Sequence, residues 1–280
     1  MKRAILGILI ILLLGLGYIY RFQPDLFNRA EMRLSTALGG QLESSDLLPP
    51  PLRSALDEAN AHLTREGVIS ETNNQRAQNG ELVPLHENTR LDQAAEIKLQ
   101  DMFDHQYFEH VSPSGKGPSD LANQVGYKFV VVGENLALGN FKDDAALVDA
   151  WMNSPGHRAN ILNVRYQEIG VAVGRGMFEG HETWLAVQEF GLPLSACPQP
   201  SASLKTTIDS DQKQIDQLEA DIAARKADIE SHHYDNATYN KKVAEYNQEV
   251  SQLNALIGTT KQLVSQYNAQ IDQFNRCLEG

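Results

Sequence analysis

Three stretches of this 280-residue chain carry side chains suited to proton transfer or ligation: FEHVSPSG at 108–115, GENLALG at 133–139 and WMNSPGHRANIL at 151–162. In the third, one apolar run stops at Asn153-Ser154. Ser154 suits a helix N-cap and Pro155 the first helical position, where its missing N–H costs nothing. His157 then falls in the first turn of a helix, where the positive end of the peptide dipole disfavours imidazolium. A neutral imidazole is what a metal ligand or a general base requires. The competing reading of this stretch alone is a surface histidine bonded to the preceding loop. His110 follows an aromatic pair and precedes Ser-Pro. Glu134 enters directly from the apolar run 129–132, so it is expected to be partly buried and to need a partner. A buried glutamate also serves as a plain hydrogen-bond anchor. Ser154 beside His157 has the makings of a nucleophile pair, but the hydroxyl is expected to be committed to capping. His86, His181, His232 and His233 fall in expected loops, with no role in the site; His105, five residues before His110, could assist it but reads as exposed.

The elements that must position these residues are legible as patterns. PLRSALDEANAHLTREGVISETNNQRAQNG, from Pro51, has helical periodicity and ends at Asn79-Gly80, a helix stop. NTRLDQAAEIKLQDMFDH forms a second helix, with Leu91, Ala94, Ala95, Leu99 and Met102 on one face. DDAALVDAWMNS forms a third. QEIGVAVGRG and ETWLAVQEFG alternate apolar with small or polar residues around the turn MFEGH, which predicts a β-hairpin. YKFVVVG reads as a strand or a loop. Helices set apart from a terminal hairpin predict an α+β layered domain over 51–194.

The composition, 42% hydrophobic and 21% charged, is that of a globular protein. Net charge is −12 with no basic segment, so a nucleic-acid partner is set aside. Lys2 and Arg3 precede an uncharged run from Ala4 to Tyr20, which predicts a transmembrane signal anchor at 1–21 with the N-terminus cytoplasmic and the domain outside. The alternative is a cleaved signal peptide and a secreted chain. A linker over 22–50 ends in LLPPP, where the prolines close off any helix. Over 195–280 a heptad pattern emerges. Val243, Val250, Ile257, Val264 and Ile271 alternate with Tyr239, Tyr246, Leu253, Thr260, Tyr267 and Phe274, which predicts a coiled-coil seam. Upstream, Leu204, Ile208, Ile215, Leu218, Ile222 and Ile229 keep the spacing, interrupted by Asp211 and Arg225. SHHYDNAT between the halves is a turn, so an antiparallel helical hairpin is expected. Its arms, roughly 42 Å of helix plus roughly 20 Å of extended chain against roughly 63 Å of helix, bring Cys197 and Cys277 to a common base. In an exported chain these two cysteines form a disulfide. Pairing between two chains, with self-association through the coiled coil, is the other arrangement.

Taken together, TNNQRAQNGELVPL, FEHVSPSG, GENLALG, AWMNSPGHRANIL and YQEIGVAVG…WLAVQEFG occur in the order found in the CAP superfamily, and the chain resembles its bacterial branch over roughly residues 67–193. The resemblance implies a three-layer α-β-α sandwich with a central cleft lined by histidines and glutamates. His110 matches the first cleft histidine and Glu134 the glutamate of the Gly-Glu-Asn-Leu motif. Eukaryotic members carry a second glutamate where this chain has Ser154, and a Gly-His-aromatic-Thr-Gln strand where it has Arg165-Tyr166-Gln167-Glu168. His157 is therefore expected to supply the missing imidazole. His110, His157 and Glu134 would hold a divalent cation such as zinc with an open position. Three functions follow: a module binding a cation or a small or lipid ligand, a metal-assisted hydrolase of cell-envelope or protein substrates, and an assembly protein acting through the hairpin.

Overall fold

The computed structural model describes residues 48–279. The expected signal anchor at 1–21 and most of the linker at 22–50 lie outside the described residues. Among these, one compact unit runs to Cys197 and a second from Pro198 to Glu279.

The first unit is built on a five-stranded sheet ordered β1-β3-β5-β4-β2. Its strands are β1 Leu52–Asp57, β2 His86–Glu87, β3 Phe129–Asn140, β4 Glu168–Phe178 and β5 His181–Pro193. β3, β5 and β4 pair antiparallel, whereas β1 and β2 join the two outer edges in parallel. The long helix α2 Thr89–His105 and the short α3 Pro118–Gln124 cover one face; α1 Arg65–Gln78, α4 Asp144–Met152 and α5 Pro155–Ile161 cover the other. This is the expected α-β-α sandwich. The α2 face packs Ala95, Leu99 and Met102 against Leu136, Ala172, Leu185 and Val187. Gly170 lets α2 lie against the sheet, since a Cβ there would fall 2.1 Å from the backbone carbon of Leu91.

Helical periodicity from Pro51 onward misplaces one element. Residues 52–57 form β1, and the helix begins only at Arg65. The reason is tertiary: Leu52 pairs with Ala137, and Asp144 accepts from both the amide (2.7 Å) and the hydroxyl (2.8 Å) of Thr64, the N-cap of α1. YKFVVVG resolves into the start of β3, and α3 is an element the patterns do not announce.

The second unit is two packed helices, α6 Ala202–Ser231 and α7 Asn236–Glu279. Arg225 bonds Glu245 (2.7 Å) and Glu249 (2.6 Å), while Asp211 accepts from Thr260 (3.1 Å), so the helices run antiparallel. The two residues that interrupt the upstream apolar series thus each meet a polar partner on the opposing helix. Ile208, Ile215, Val250, Ile271 and Phe274 are buried. Both cysteines are disulfide-bonded. As the chain has only two, the bond is Cys197–Cys277, within one chain.

Candidate functional site

The β1–β3 ladder starts at Leu52 opposite Ala137. Pro51, Pro50 and Pro49 precede it and have no N–H to donate, so the ladder goes no further. Counting back in parallel register, Pro49 comes level with Glu134. Here His110 arrives from the segment after α2 and His157 from the first turn of α5.

His110 is bonded at both ring nitrogens: Nδ1 lies 2.6 Å from Glu134 Oε1 and Nε2 lies 2.5 Å from the carbonyl oxygen of Pro49. A carbonyl oxygen only accepts, so Nε2 carries a proton. With the Glu134 carboxylate accepting at Nδ1, the ring donates twice and is an imidazolium. Burial opposes the charge. The bond to Glu134, its negative charge and the Pro49 carbonyl outweigh that burial and hold the His110 pKa above its ordinary value.

Glu134 is fully buried on the α2 face of β3. Opposite it in the β3–β5 register stands Glu189, also buried and hydrogen-bonded to Glu134. Burial, then the adjacent Glu134, drives the Glu189 pKa well above the carboxylate range, so Glu189 keeps its proton. Lys98, 1% exposed, points from α2 into this layer and donates to the carbonyls of Glu109 (2.6 Å) and His110 (2.7 Å). Its pKa is lowered, burial prevailing over the nearby carboxylates. Lys98 therefore holds the backbone that presents His110.

His157 reaches the same edge from the opposite layer. Asn135 donates to the His157 carbonyl (3.3 Å), and Asn160 donates to Asn135 Oδ1 (2.9 Å) and to the Glu134 carbonyl (3.1 Å). Gln188 continues the network to Thr72 of α1 (2.7 Å). The His157 ring is 1% exposed, so it is not a surface histidine. Burial, then the charge of His110, lowers its pKa to about 4. Ser154 occupies the N-cap position of α5 but makes no side-chain cap; its hydroxyl instead lies 2.8 Å from His157 Nδ1. The expected capping role is corrected accordingly: the ring competes for the same oxygen and wins.

The structure thus brings His110, Glu134 and His157 to one edge. Lys98 and Glu189 complete the polar layer and are absent from the sequence-based set. Both carried a signal. Lys98 falls four residues after Ala94 on the apolar face of α2, and Glu189 sits in the apolar alternation of β5. His105, His86, His181, His232 and His233 are exposed.

The arrangement does not fit the expected divalent cation. Among the described residues no group of three or more His, Cys, Asp or Glu side chains is set to hold a metal ion. Both nitrogens of His110 are engaged, which leaves it no lone pair to give. The site offers instead a charge-balanced cationic donor facing a carbonyl oxygen. Around it the protonated Glu189 carboxyl is hydrogen-bonded to Glu134, and the buried His157 ring also meets the backbone of Leu136.

The family model for the cysteine-rich secretory protein family (CAP) matches residues 69–190. Among curated relatives, uncharacterized protein YkwD of Bacillus subtilis is 41% identical over 42% of this chain and 43% of its own length. Uncharacterized membrane protein YlbC of the same organism is 40% identical over 27% of this chain and 22% of its own length. The chain therefore spans less than half the length of the curated relatives it matches. An extracellular protein containing a SCP domain from Bacillus anthracis, a solved structure, is 28% identical, with a TM-score of 0.39 over 45% of this chain and 39% of that one. Residues 69–190 of this chain therefore form a domain of the cysteine-rich secretory protein (CAP) family, of the bacterial type.

Proposed function

We propose that the chain is an exported, membrane-anchored CAP-domain binding protein, and that its His110–Glu134–His157 cleft recognises a carbonyl-bearing small, lipid or cell-envelope ligand through hydrogen bonds. The reading rests chiefly on one observation: His110 spans Glu134 on one side and a carbonyl oxygen on the other. An imidazolium neutralised from behind gives a short, charge-assisted bond to an oxygen acceptor. Export is supported by the charged-then-apolar pattern of residues 1–21, by the disulfide, and by the kinship with a relative named as a membrane protein. A divalent cation or a metal-assisted hydrolase has less support, because each needs a free imidazole lone pair at His110.

The test is the ring NMR of His110 in the 15N-labelled full-length chain at pH 6.5. Two protonated nitrogens are expected, with one lost in Glu134→Gln. A ring that is neutral in the unaltered protein refutes the proposal.

A further inference from the structure

Lys98 serves the cleft with two of its N–H groups and faces a second space with the third. A cavity of about 100 Å³ lies between α2, the segment that follows it and α3. Lys98, 1% exposed, forms part of its wall. The side chain donates to the carbonyls of Glu109 (2.6 Å) and His110 (2.7 Å), and at a longer 3.3 Å to Tyr107 Oη, which also lines the cavity. Three donated hydrogens make it an ammonium, since a neutral amine has two. Among the described residues it forms no ion pair: Glu134 is engaged by His110, and Asp101, in the same wall, accepts from Tyr107 (2.6 Å). A buried charge held by neutral oxygens alone is costly and favours a counterion.

The loop 112–116, part of the His110 motif, supplies the facing wall. A tight turn shapes it: the Ser112 amide donates to the Lys116 carbonyl (2.9 Å) and the Gly115 amide to the Ser112 carbonyl (2.8 Å). Gly115 has φ 84°, a conformation that glycine adopts without strain. The turn sets Ser112, Ser114 and Lys116 around the cavity. Lys116 Nζ donates to the neutral amide oxygen of Gln124 (3.0 Å) and forms no ion pair among the described residues. The Ser112 and Ser114 hydroxyls bond each other (2.8 Å), which uses one of their two hydrogens and leaves one to give. Two ammonium groups and a hydroxyl donor thus surround one small space whose carboxylate is already engaged. Ile97 and Leu121 add an aliphatic wall.

We propose that this cavity is a binding site for a small organic carboxylate. The carboxylate takes the third N–H of Lys98 in place of the Tyr107 oxygen, and the bond becomes a shorter, charge-assisted one. Lys116 and the spare serine hydroxyl donate to it from the loop. The short hydrocarbon part rests on Ile97 and Leu121. A space of this size takes the volume of a few water molecules, which limits the ligand to a handful of heavy atoms. Inorganic phosphate would meet the same donors but leave the aliphatic wall uncovered.

The experiment titrates the 15N-labelled full-length chain in detergent solution with sodium propionate, propionamide or inorganic phosphate at constant ionic strength, and follows the backbone amides of residues 112–116. Propionate should shift them saturably, with a dissociation constant in the millimolar range expected of so small a ligand. Propionamide, of the same shape without the charge, should bind at least about tenfold more weakly. Lys116→Gln should weaken propionate binding about fivefold or more, and Ser114→Leu should block it by filling the space. Both positions are exposed, so the variants are expected to keep the fold, which their amide spectra check directly.

No saturable shift with propionate up to about 100 mM would overturn the site. Equal affinity for propionate and propionamide, or tighter binding of phosphate than of propionate, would overturn the carboxylate. Unchanged propionate binding in both variants would place it elsewhere on the chain and overturn the proposal as well.

Discussion

His157 should make the stability of the CAP domain depend on pH in a way that one substitution can isolate. Its ring is 1% exposed, and its folded pKa is lowered to about 4. The unfolded chain binds the proton at about 6.5. A depressed histidine contributes fully above the unfolded pKa and loses that contribution as pH falls, because the unfolded state takes up the proton first. Between pH 7.5 and 5.5 the loss is about 1.3 kcal/mol, and it reaches about 3 kcal/mol near pH 4. The first figure barely depends on the folded value, since at pH 5.5 the folded ring stays mostly neutral whether its pKa is about 4 or about 5. His157→Gln removes this titration. Denaturant unfolding of the two proteins at pH 7.5 and 5.5 gives the comparison; both tryptophans, Trp151 and Trp184, lie in the CAP unit and report on it alone. The destabilisation caused by His157→Gln should shrink by about 1.3 kcal/mol on going to pH 5.5. A penalty that stays the same at both pH values would show that His157 titrates normally and is not held neutral by burial.

Lys98→Met should cost about 2–4 kcal/mol in denaturant unfolding, because the carbonyls of Glu109 and His110 lose their buried donor. It should also raise the His110 pKa further in an NMR titration, since the Lys98 charge acts to lower it. Gly170→Ala should cost about 2–4 kcal/mol by the same unfolding measurement, as its Cβ would meet the α2 backbone and not a movable side-chain tip. Cys197→Ser/Cys277→Ser should lower stability by on the order of 4 kcal/mol, the chain-entropy value for a loop of about 80 residues, read from thermal unfolding of the hairpin by circular dichroism.

Local chemistry was legible in the sequence; chemistry that depends on a distant partner was not. Pro155 at the first position of α5 and the burial of Glu134 both follow from neighbouring residues, and both are seen. The hairpin helices are visible because their apolar series repeats over many turns. β1 was hidden because a six-residue strand pairing with Ala137, some eighty positions away, leaves no local period. Lys98 and Glu189 are not legible because a charged residue in an apolar pattern reads as a break, whereas here each is buried among hydrogen-bonding partners. The misassigned role of Ser154 has the same origin: an N-cap rule counts backbone donors and not an imidazole three residues on. LLPPP read as a stop signal, which it is for the ladder, but a chain that stops donating still has carbonyls to offer, and Pro49 offers one to His110.

His110 is a doubly donating imidazolium poised on a carbonyl oxygen. Neutron diffraction from crystals grown near pH 6.5 addresses it most directly, because it locates the deuterons themselves. One deuteron is expected on Nδ1 facing Glu134 and one on Nε2 facing the Pro49 oxygen. A single deuteron on the ring, or a Pro49 carbonyl turned away from Nε2, would contradict it.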